Sequence, residues 1–434
     1  MARRQKQPRT AEVTDLADEG YGLTEDHRFA VYGLLPGETA TILPRKKKKG
    51  LWLSLHENRQ GKHPDRVTPS CAHADVCGGC AFQHLAHERQ IEFKEARLRR
   101  LFEPLQPLTW MPPLVGSASG YRSKARLGVK FVTKRDEVLV GFREKASPFV
   151  AEMRGCTVLD ERLADLIPSL RAMIQTLSVR QSIPQIEAAA AKQNLALVFR
   201  HLEPLSESDI ETLMRFEATS GVQILLQSGG PETVTALSSE QVVSLSYDLP
   251  EEALSFDFQP LDFTQVNYAM NERMTRQAVE LLDLNKQDHV IDAFCGIGNF
   301  SLPIAKRAGQ VLGLESSVAS VERAKRNALK NSICNAMFEA TDLYSDEVEI
   351  QAAGFNKLLI DPPRSGAEQL VRASLIDAME SIVYVSCYPE SLARDASTLC
   401  GRGFRVKAVG LIDMFPHTTH LESMALFVRE PSHG

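Results

Sequence analysis

The chain has 434 residues, 43% of them hydrophobic and 24% charged, which gives room for more than one core and excludes disordered and collagen-like classes. No run approaches the roughly 18 consecutive apolar residues that a membrane helix needs. The formal net charge of −5 excludes a protein that is basic throughout, so any nucleic-acid binding must come from local patches. The N-terminus, Met1-Ala2-Arg3-Arg4-Gln5-Lys6, is basic and is not followed by an apolar segment. No secretory leader and no membrane contact are therefore expected, and a cytoplasmic protein is.

Residues 12–67 read as a small all-β unit. Ala30-Val31-Tyr32 and Thr39-Ala40-Thr41-Ile42-Leu43 are separated by the turn signals Glu19-Gly20-Tyr21-Gly22 and Pro36-Gly37-Glu38. Between the later strands runs Arg45-Lys46-Lys47-Lys48-Lys49-Gly50. Such a run is either a solvated loop or a phosphate-tracking surface, and the nearby Trp52, Arg59, Lys62 and His63 favour the second.

Four of the eight cysteines, Cys71, Cys77, Cys80 and Cys156, fall in the first half. In a reducing compartment the grouping Cys71-x5-Cys77-Gly78-Gly79-Cys80 points to a metal, not to disulfides. Four thiolates suit tetrahedral zinc or an iron–sulfur cluster, and the residue types do not separate the two. The second C-x-x-C knuckle of a zinc ribbon is missing.

A helical stretch follows over 84–102. Residues 116–247 mix strand-like runs, such as Ala125-Arg126-Leu127-Gly128-Val129-Lys130-Phe131, with a helix-like one over 159–177. Tyr121-Arg122-Ser123-Lys124-Ala125-Arg126 is either a strand with an exposed basic face or an RNA contact. Punctuation suggests a boundary near 250–260.

From residue 284 the pattern becomes regular β/α alternation, with strands at Val290-Ile291-Asp292, Val311-Leu312-Gly313-Leu314, Leu358-Leu359-Ile360 and Ile382-Val383-Tyr384-Val385, and helices over 301–307 and 318–330. Short apolar strands between amphipathic helices imply a doubly wound parallel sheet. Asp292-Ala293-Phe294-Cys295-Gly296-Ile297-Gly298-Asn299 joins the first strand to its helix, and Glu315 ends the next strand, where an acid takes ribose hydroxyls. The G-x-G spacing and the acid before it suit S-adenosylmethionine better than a phosphate-bearing cofactor. Asp361-Pro362-Pro363-Arg364 and Ser386-Cys387-Tyr388-Pro389 each follow a buried strand, on the rim where ligands bind. Cys387 is thus a candidate nucleophile, with Glu422 a candidate proton acceptor beside the strand Ala425-Leu426-Phe427-Val428.

Together with Phe263-Thr264-Gln265-Val266-Asn267 and His420-Leu421-Glu422-Ser423-Met424, these motifs resemble the RNA uracil-C5 methyltransferases. The front segment, with Glu19-Gly20-Tyr21-Gly22 and Leu35-Pro36-Gly37-Glu38, looks like a TRAM domain, an OB-type RNA-binding barrel. The resemblance implies a multidomain chain: a TRAM barrel over 1–69, an α+β central domain over 70–262 with a four-cysteine cluster site, and an α/β Rossmann-like methyltransferase domain over 263–434. It implies the branch of the family that carries both the barrel and the cluster and acts on domain IV of 23S ribosomal RNA, with no obligate protein partner. It further implies a [4Fe–4S] cluster on Cys71, Cys77, Cys80 and Cys156, and a cofactor pocket at Gln265, Phe294, Gly296, Asn299, Glu315, Asp342 and Asp361. Cys387 would be the nucleophile that adds to carbon 6 of uracil, and Glu422 the base that removes the proton from carbon 5. Two other classes remain open on the residues alone. One is an amino-group nucleic-acid methyltransferase using Asp361-Pro362-Pro363; the other is a non-catalytic RNA-binding module.

Overall fold

The computed structural model describes residues 7–238, 245–345, 350 and 353–430; the basic N-terminal hexapeptide lies outside the described residues. The chain divides into two compact units. One comprises Met1–Gln90, Ser117–Val243 and Pro416–Thr419, the other Ile91–Gly116, Ser244–Phe415 and His420–Gly434. The second unit resumes earlier than the punctuation near 250–260 suggests.

In the first unit, β1 (Arg9–Leu16), β2 (Tyr21–Thr24), β3 (Phe29–Tyr32), β4 (Thr39–Lys48) and β5 (Leu51–Gln60) close a barrel in the order β1-β2-β3-β5-β4. Alternation on β4 sends Ala40, Ile42 and Pro44 inward, where Ala40 and Ile42 meet Val13, Phe29, Val31 and Leu34. Gly22 is obligatory for closure, since a Cβ there would lie 2.7 Å from Val13 Cγ1 and 2.8 Å from the Leu34 carbonyl. Four of the five cations expected between strands, Arg45 to Lys48, are instead the exposed end of β4. Lys46 and Lys47 pair with Leu53 and Trp52 after a register shift that leaves Arg45 unpaired. The shift directly follows Pro44, which cannot donate to the ladder.

The chain continues through α1 (His87–Phe102) and β6 (Thr109–Trp110), both starting later than or absent from the sequence reading. It then builds β7 (Lys124–Val132), β8 (Glu137–Gly141), α2 (Glu161–Thr176), β9 (Gln185–Ala190), β10 (Leu195–Arg200), α3 (Glu207–Ser220), β11 (Gln223–Gln227) and β12 (Val234–Ala236). The strands from β7 onward form a sheet in the order β12-β11-β10-β9-β7-β8. It packs through Leu127, Val129, Ile186 and Leu197 on Ile167, Leu170 and Ile174 of α2. Tyr121 is buried and its hydroxyl donates to the Pro416 carbonyl at 3.0 Å, while the exposed Arg126 pairs with Glu187. The aromatic is thus not interleaved with cations on a surface.

The second unit holds the hairpin β13 (Leu245–Leu249) and β14 (Leu254–Phe258), followed by α4 (Tyr268–Leu282), β15 (His289–Ala293), α5 (Ser301–Ala305), β16 (Gln310–Glu315), α6 (Val318–Lys330), β17 (Ala336–Ala340), β18 (Lys357–Ile360), α7 (Glu368–Arg372), β19 (Ser381–Ser386), α8 (Pro389–Gly401), β20 (Phe404–Ile412) and β21 (Glu422–Arg429). Its sheet runs β17-β16-β15-β18-β19-β21-β20-β6, parallel from β17 to β19 and antiparallel where β21 joins β19. Both faces are covered. Ile291, Leu358, Ile360, Ile382 and Tyr384 enter one core, and Val290, Leu359, Val383 and Val385 enter the other. This two-sided burial is why those strands read as unbroken apolar runs.

Candidate active site

Parallel strands bring their carboxyl ends to one edge, and an antiparallel strand brings its amino end to the same edge. Along β16, β15, β18, β19 and β21 that edge therefore carries, in order, Glu315, Asp292, Asp361, Cys387 and Glu422. Ser386 is in register with Ser423, which sets Cys387 beside Glu422 across the strand pair. Glu422 is itself the first residue of β21, not part of a segment preceding it.

Backbone geometry at the first crossover is tight. Phe294, Gly296 and Gly298 take positive φ values of 64°, 54° and 93°, so the chain turns sharply between β15 and α5. A Cβ on Gly296 would meet nothing within 4 Å, so open space lies above that backbone. Glu315 is aimed by three donors: Gly296 N at 3.3 Å, Ser317 N at 2.9 Å and Ser316 Oγ at 3.1 Å. Asp342 follows β17, the neighbour of β16, and accepts from Tyr344 N at 2.9 Å in a turn. Phe294 meets Tyr344 with ring centroids 5.6 Å apart. Gln265 is half-buried before α4. Asn299 is occupied by protein: its Oδ1 accepts from Tyr247 at 2.8 Å and Asn271 at 2.9 Å, and its Nδ2 donates to Asn271 at 2.9 Å. Two buried oxygens beside this region, Asp292 Oδ1 and Thr264 Oγ1, have no hydrogen-bond partner, which is what a polar ligand would supply.

The acids at the edge repel one another. Asp292, fully buried, is pushed up to about 7 by burial despite its bond from Ser301. Asp361 is likewise raised to about 7, by burial and then by Asp292. Burial and then Asp361 raise Glu422 well above the ordinary carboxylate range. Cys387 is pushed up to about 11 by burial, then Glu422, then Asp361, with Arg364 pulling the other way. Three acids and a thiol thus share one protonation problem that a cation at this edge would relieve.

Sequence reasoning missed the groups that hold this edge in place. Asp395 of α8 accepts from Tyr384 of β19 at 2.6 Å and from Ala367 N at 2.7 Å, tying the β19 strand to the loop after Asp361. Arg364 donates to His420 Nδ1 at 2.9 Å. Tyr247 is stacked between Phe256 at 5.0 Å and Tyr268 at 5.2 Å. Only the Asp361-Pro362-Pro363-Arg364 and His420-to-Met424 motifs gave any signal of these.

The four cysteines of the first unit feel one another: Cys80 is pushed up to about 12 by burial and then by Cys156, Cys77 and Cys71, against a donor from Gln83 Nε2 at 3.7 Å. Gly79 N donates to Cys77 Sγ at 3.4 Å. Yet among the described residues no three cysteine, histidine or acidic side chains stand close enough to hold a metal ion. The expected four-cysteine cluster site is thus not shown by this structure. No helix among the described residues is long and apolar enough to cross a membrane.

A relative from Hahella chejuensis, the 23S rRNA (uracil(1939)-C(5))-methyltransferase RlmD, is 43% identical over 98% of this chain and 99% of its own. The protein of the same name from Nitrosococcus oceani is 45% identical over 99% and 98%. The crystal structure of the Pyrococcus abyssi tRNA (uracil-54, C5)-methyltransferase in complex with S-adenosyl-L-homocysteine superposes with a TM-score of 0.75 at 24% identity, covering 97% of this chain and all of that one. That likeness shows the fold. The profile described as tRNA (Uracil-5-)-methyltransferase matches residues 86–430, and with relatives this similar over nearly the whole length the chain belongs to the uracil-5-methyltransferase family.

Proposed function

We propose that the chain transfers a methyl group from S-adenosylmethionine to carbon 5 of a uridine in 23S ribosomal RNA, the domain IV site, through a covalent adduct between Cys387 and carbon 6. The observation that carries this reading is the edge on which Cys387 and Glu422 stand side by side, next to the glycine turn and Glu315. When bound, S-adenosylmethionine would supply an electrophilic methyl group and leave as the neutral thioether S-adenosylhomocysteine. Glu315 suits its ribose hydroxyls; Gln265, Phe294, Gly296, Asn299, Asp342 and Asp361 complete its pocket, with Asn299 acting mainly by holding α4 and the hairpin to the turn.

Carbon 5 of uracil is a poor nucleophile until the ring is made an enolate. Cys387 loses its proton to solvent, and its sulfur forms a bond to carbon 6 while the C5–C6 π electrons move toward the carbonyl at carbon 4. Carbon 5 then takes the methyl group and still carries its hydrogen. Glu422 removes that proton, and the electron pair left at carbon 5 re-forms the double bond and expels the Cys387 sulfur. A buried carboxylate whose proton affinity is raised by burial and by Asp361 is a better base for this step than an exposed one. The target must leave its stack to reach a thiol at this rim.

The remaining assignments belong to the same reading. The parts 1–69, 70–262 and 263–434 serve as RNA-binding barrel, central domain and catalytic domain, in a cytoplasmic protein without an obligate partner. The [4Fe–4S] cluster on Cys71, Cys77, Cys80 and Cys156 rests on the family resemblance and on four thiols grouped in one unit; no chemical step runs through it. Anaerobically purified protein should contain iron and sulfide, and lose both on Cys80→Ser. Stoichiometric zinc without iron would refute the cluster and leave the methyltransferase reading intact.

The decisive test is nucleoside mass spectrometry of ribosomal RNA from a strain lacking the gene, before and after complementation. 5-Methyluridine should vanish and return at one position. RNA carrying 5-fluorouridine there should form a denaturant-stable complex with the wild type and none with Cys387→Ala. A methylated amino group with no trapped complex would instead establish the amino-group alternative.

A further inference from the structure

The loop that follows β18 is fixed at its two ends by different means. At its start Asp361 continues the strand, its amide donating to the Ala293 carbonyl at 3.3 Å, and Pro362 and Pro363 stiffen the exit. Its far side is gripped from α8. Arg394 Nη2 donates to the Ser365 carbonyl at 2.9 Å, and Asp395 Oδ2 accepts from Ala367 N at 2.7 Å. The gripping side chains are locked to each other, since Arg394 Nε and Nη2 donate to Asp395 Oδ1 at 2.8 Å and 2.7 Å. The Tyr384 hydroxyl of β19 donates to Asp395 Oδ2 at 2.6 Å. Gly366, at φ 80°, lies inside the grip: a Cβ there would stand 2.5 Å from Arg394 Nη2 and 2.6 Å from Asp395 Oδ2. Charge-assisted bonds of this kind are stronger than neutral ones, so the backbone on both sides of Gly366 is fixed to α8.

Gly366 N also donates to the Pro363 carbonyl at 2.9 Å, closing a turn around Arg364 and Ser365. Whatever holds Gly366 therefore holds Arg364, whose guanidinium reaches His420 Nδ1 at 2.9 Å. The charges that bear on Cys387 are Glu422 of β21 and Asp361 and Arg364 of this loop, and Arg364 is the cation among them. α8 itself starts at Pro389, two residues after Cys387, so one helix anchors both the sulfur and the loop opposite it. We propose that Arg394 and Asp395 are positioning residues for methyl transfer: from α8 they hold the turn so that the Arg364 guanidinium stays where its charge bears on the attacking sulfur. The proposal rests on the reading of Cys387 as nucleophile and adds the pair that sets its electrostatic surroundings.

The test uses the full-length protein. Arg394 is exposed, so Arg394→Met loosens the turn without opening the core. Iodoacetamide labelling of Cys387 at pH 8, read by peptide mass spectrometry, should become roughly threefold slower, the effect of about half a pH unit on a mostly protonated thiol. On an Arg364→Gln background the same substitution should change nothing further, because it acts through Arg364. S-Adenosylhomocysteine affinity in titration calorimetry should stay at the wild-type value. On 23S transcript kcat should fall while KM for S-adenosylmethionine does not rise. Asp395→Asn keeps the shape of the side chain and removes an acceptor, and it should slow labelling in the same Arg364-dependent way. Equal losses with and without Arg364, or labelling that is unchanged or faster, would overturn the proposal. So would a joint collapse of Tm and S-adenosylhomocysteine affinity in Arg394→Met, which would leave the pair a purely structural role. The labelling cycle needs neither RNA nor cofactor. If it holds while the wild type methylates nothing, the proposed activity fails and the positioning stands.

Discussion

Cys387 meets Glu422 and Asp361 with Arg364 as its opposing charge, and the acids prevail: the thiol is pushed up to about 11, by burial first. At neutral pH it is therefore a thiol in the free protein, and the thiolate grows about tenfold per pH unit until its pKa is approached. Alkylation of Cys387 by iodoacetamide, followed by peptide mass spectrometry, should rise log-linearly from pH 7 to about 10. Once ionised, Glu422 opposes the Cys387 thiolate, so with Glu422→Gln the upper part of the alkylation curve should move to lower pH. The same substitution removes the base, which typically costs roughly 10²–10⁴-fold in turnover, and methylated RNA should accumulate attached to the protein. The two effects have opposite signs on one residue. A glutamate that only packs at the rim could still move the labelling curve through its charge but would trap no methylated RNA, and a double variant with Cys387→Ala should show no adduct.

At the scale of the element, β16 shows how a backbone choice serves the site. Gly313 lies opposite Phe338 of β17, and a Cβ there would stand 2.5 Å from Phe338 Cδ1 and 2.9 Å from Cys295 Sγ. The strand passes beneath both only because it lacks that atom, and two residues later it ends in Glu315. Gly313→Ala should cost about 1–3 kcal/mol by overpacking, lower Tm by several degrees in calorimetry, and weaken S-adenosylhomocysteine binding in titration calorimetry. Wild-type Tm and affinity would refute the account. Elements whose signal is local were legible in the sequence: α6 spans Val318–Lys330, and its N-cap, Ser317, accepts from Ser320 N at 3.3 Å. The strands in the middle of the sheet were legible because burial on both faces leaves no polar interruption. β21 begins at Glu422, three residues before the expected strand, because a buried glutamate followed by serine has no strand signature; only the partner strand β19 makes it one. β17 and β6 were missed for the same reason, being short edge strands defined by their neighbours. The edge row of acids could be named residue by residue from its motifs, whereas Asp395 and Arg394 could not. Their roles come from partners distant in sequence, and no spacing announces them.

At the scale of the whole molecule, the charge balance sets a problem for RNA binding. A chain with net charge −5 is repelled by RNA at long range, so affinity must come from cations gathered where acids are few. The end of β4 is such a place: Arg45, Lys46, Lys47 and Lys48 are all exposed on consecutive positions, and the three lysines are held extended by pairing with Leu53, Trp52 and Leu51 of β5. Because side chains alternate across a strand, the four divide between two faces, so at most a subset can reach one phosphate backbone at once. Replacing Lys46, Lys47 and Lys48 together by alanine should remove about two phosphate contacts. The slope of log affinity against log salt should then fall by about 1.5–2, with affinity dropping at least tenfold at low salt and much less at high salt. Labelling of Cys387 by iodoacetamide should not change, which separates loss of RNA contact from damage to the catalytic unit. A merely solvated hairpin would give wild-type slopes. A loss of affinity that is equal at all salt concentrations would show that these lysines act through the fold of the barrel, not by neutralising phosphates.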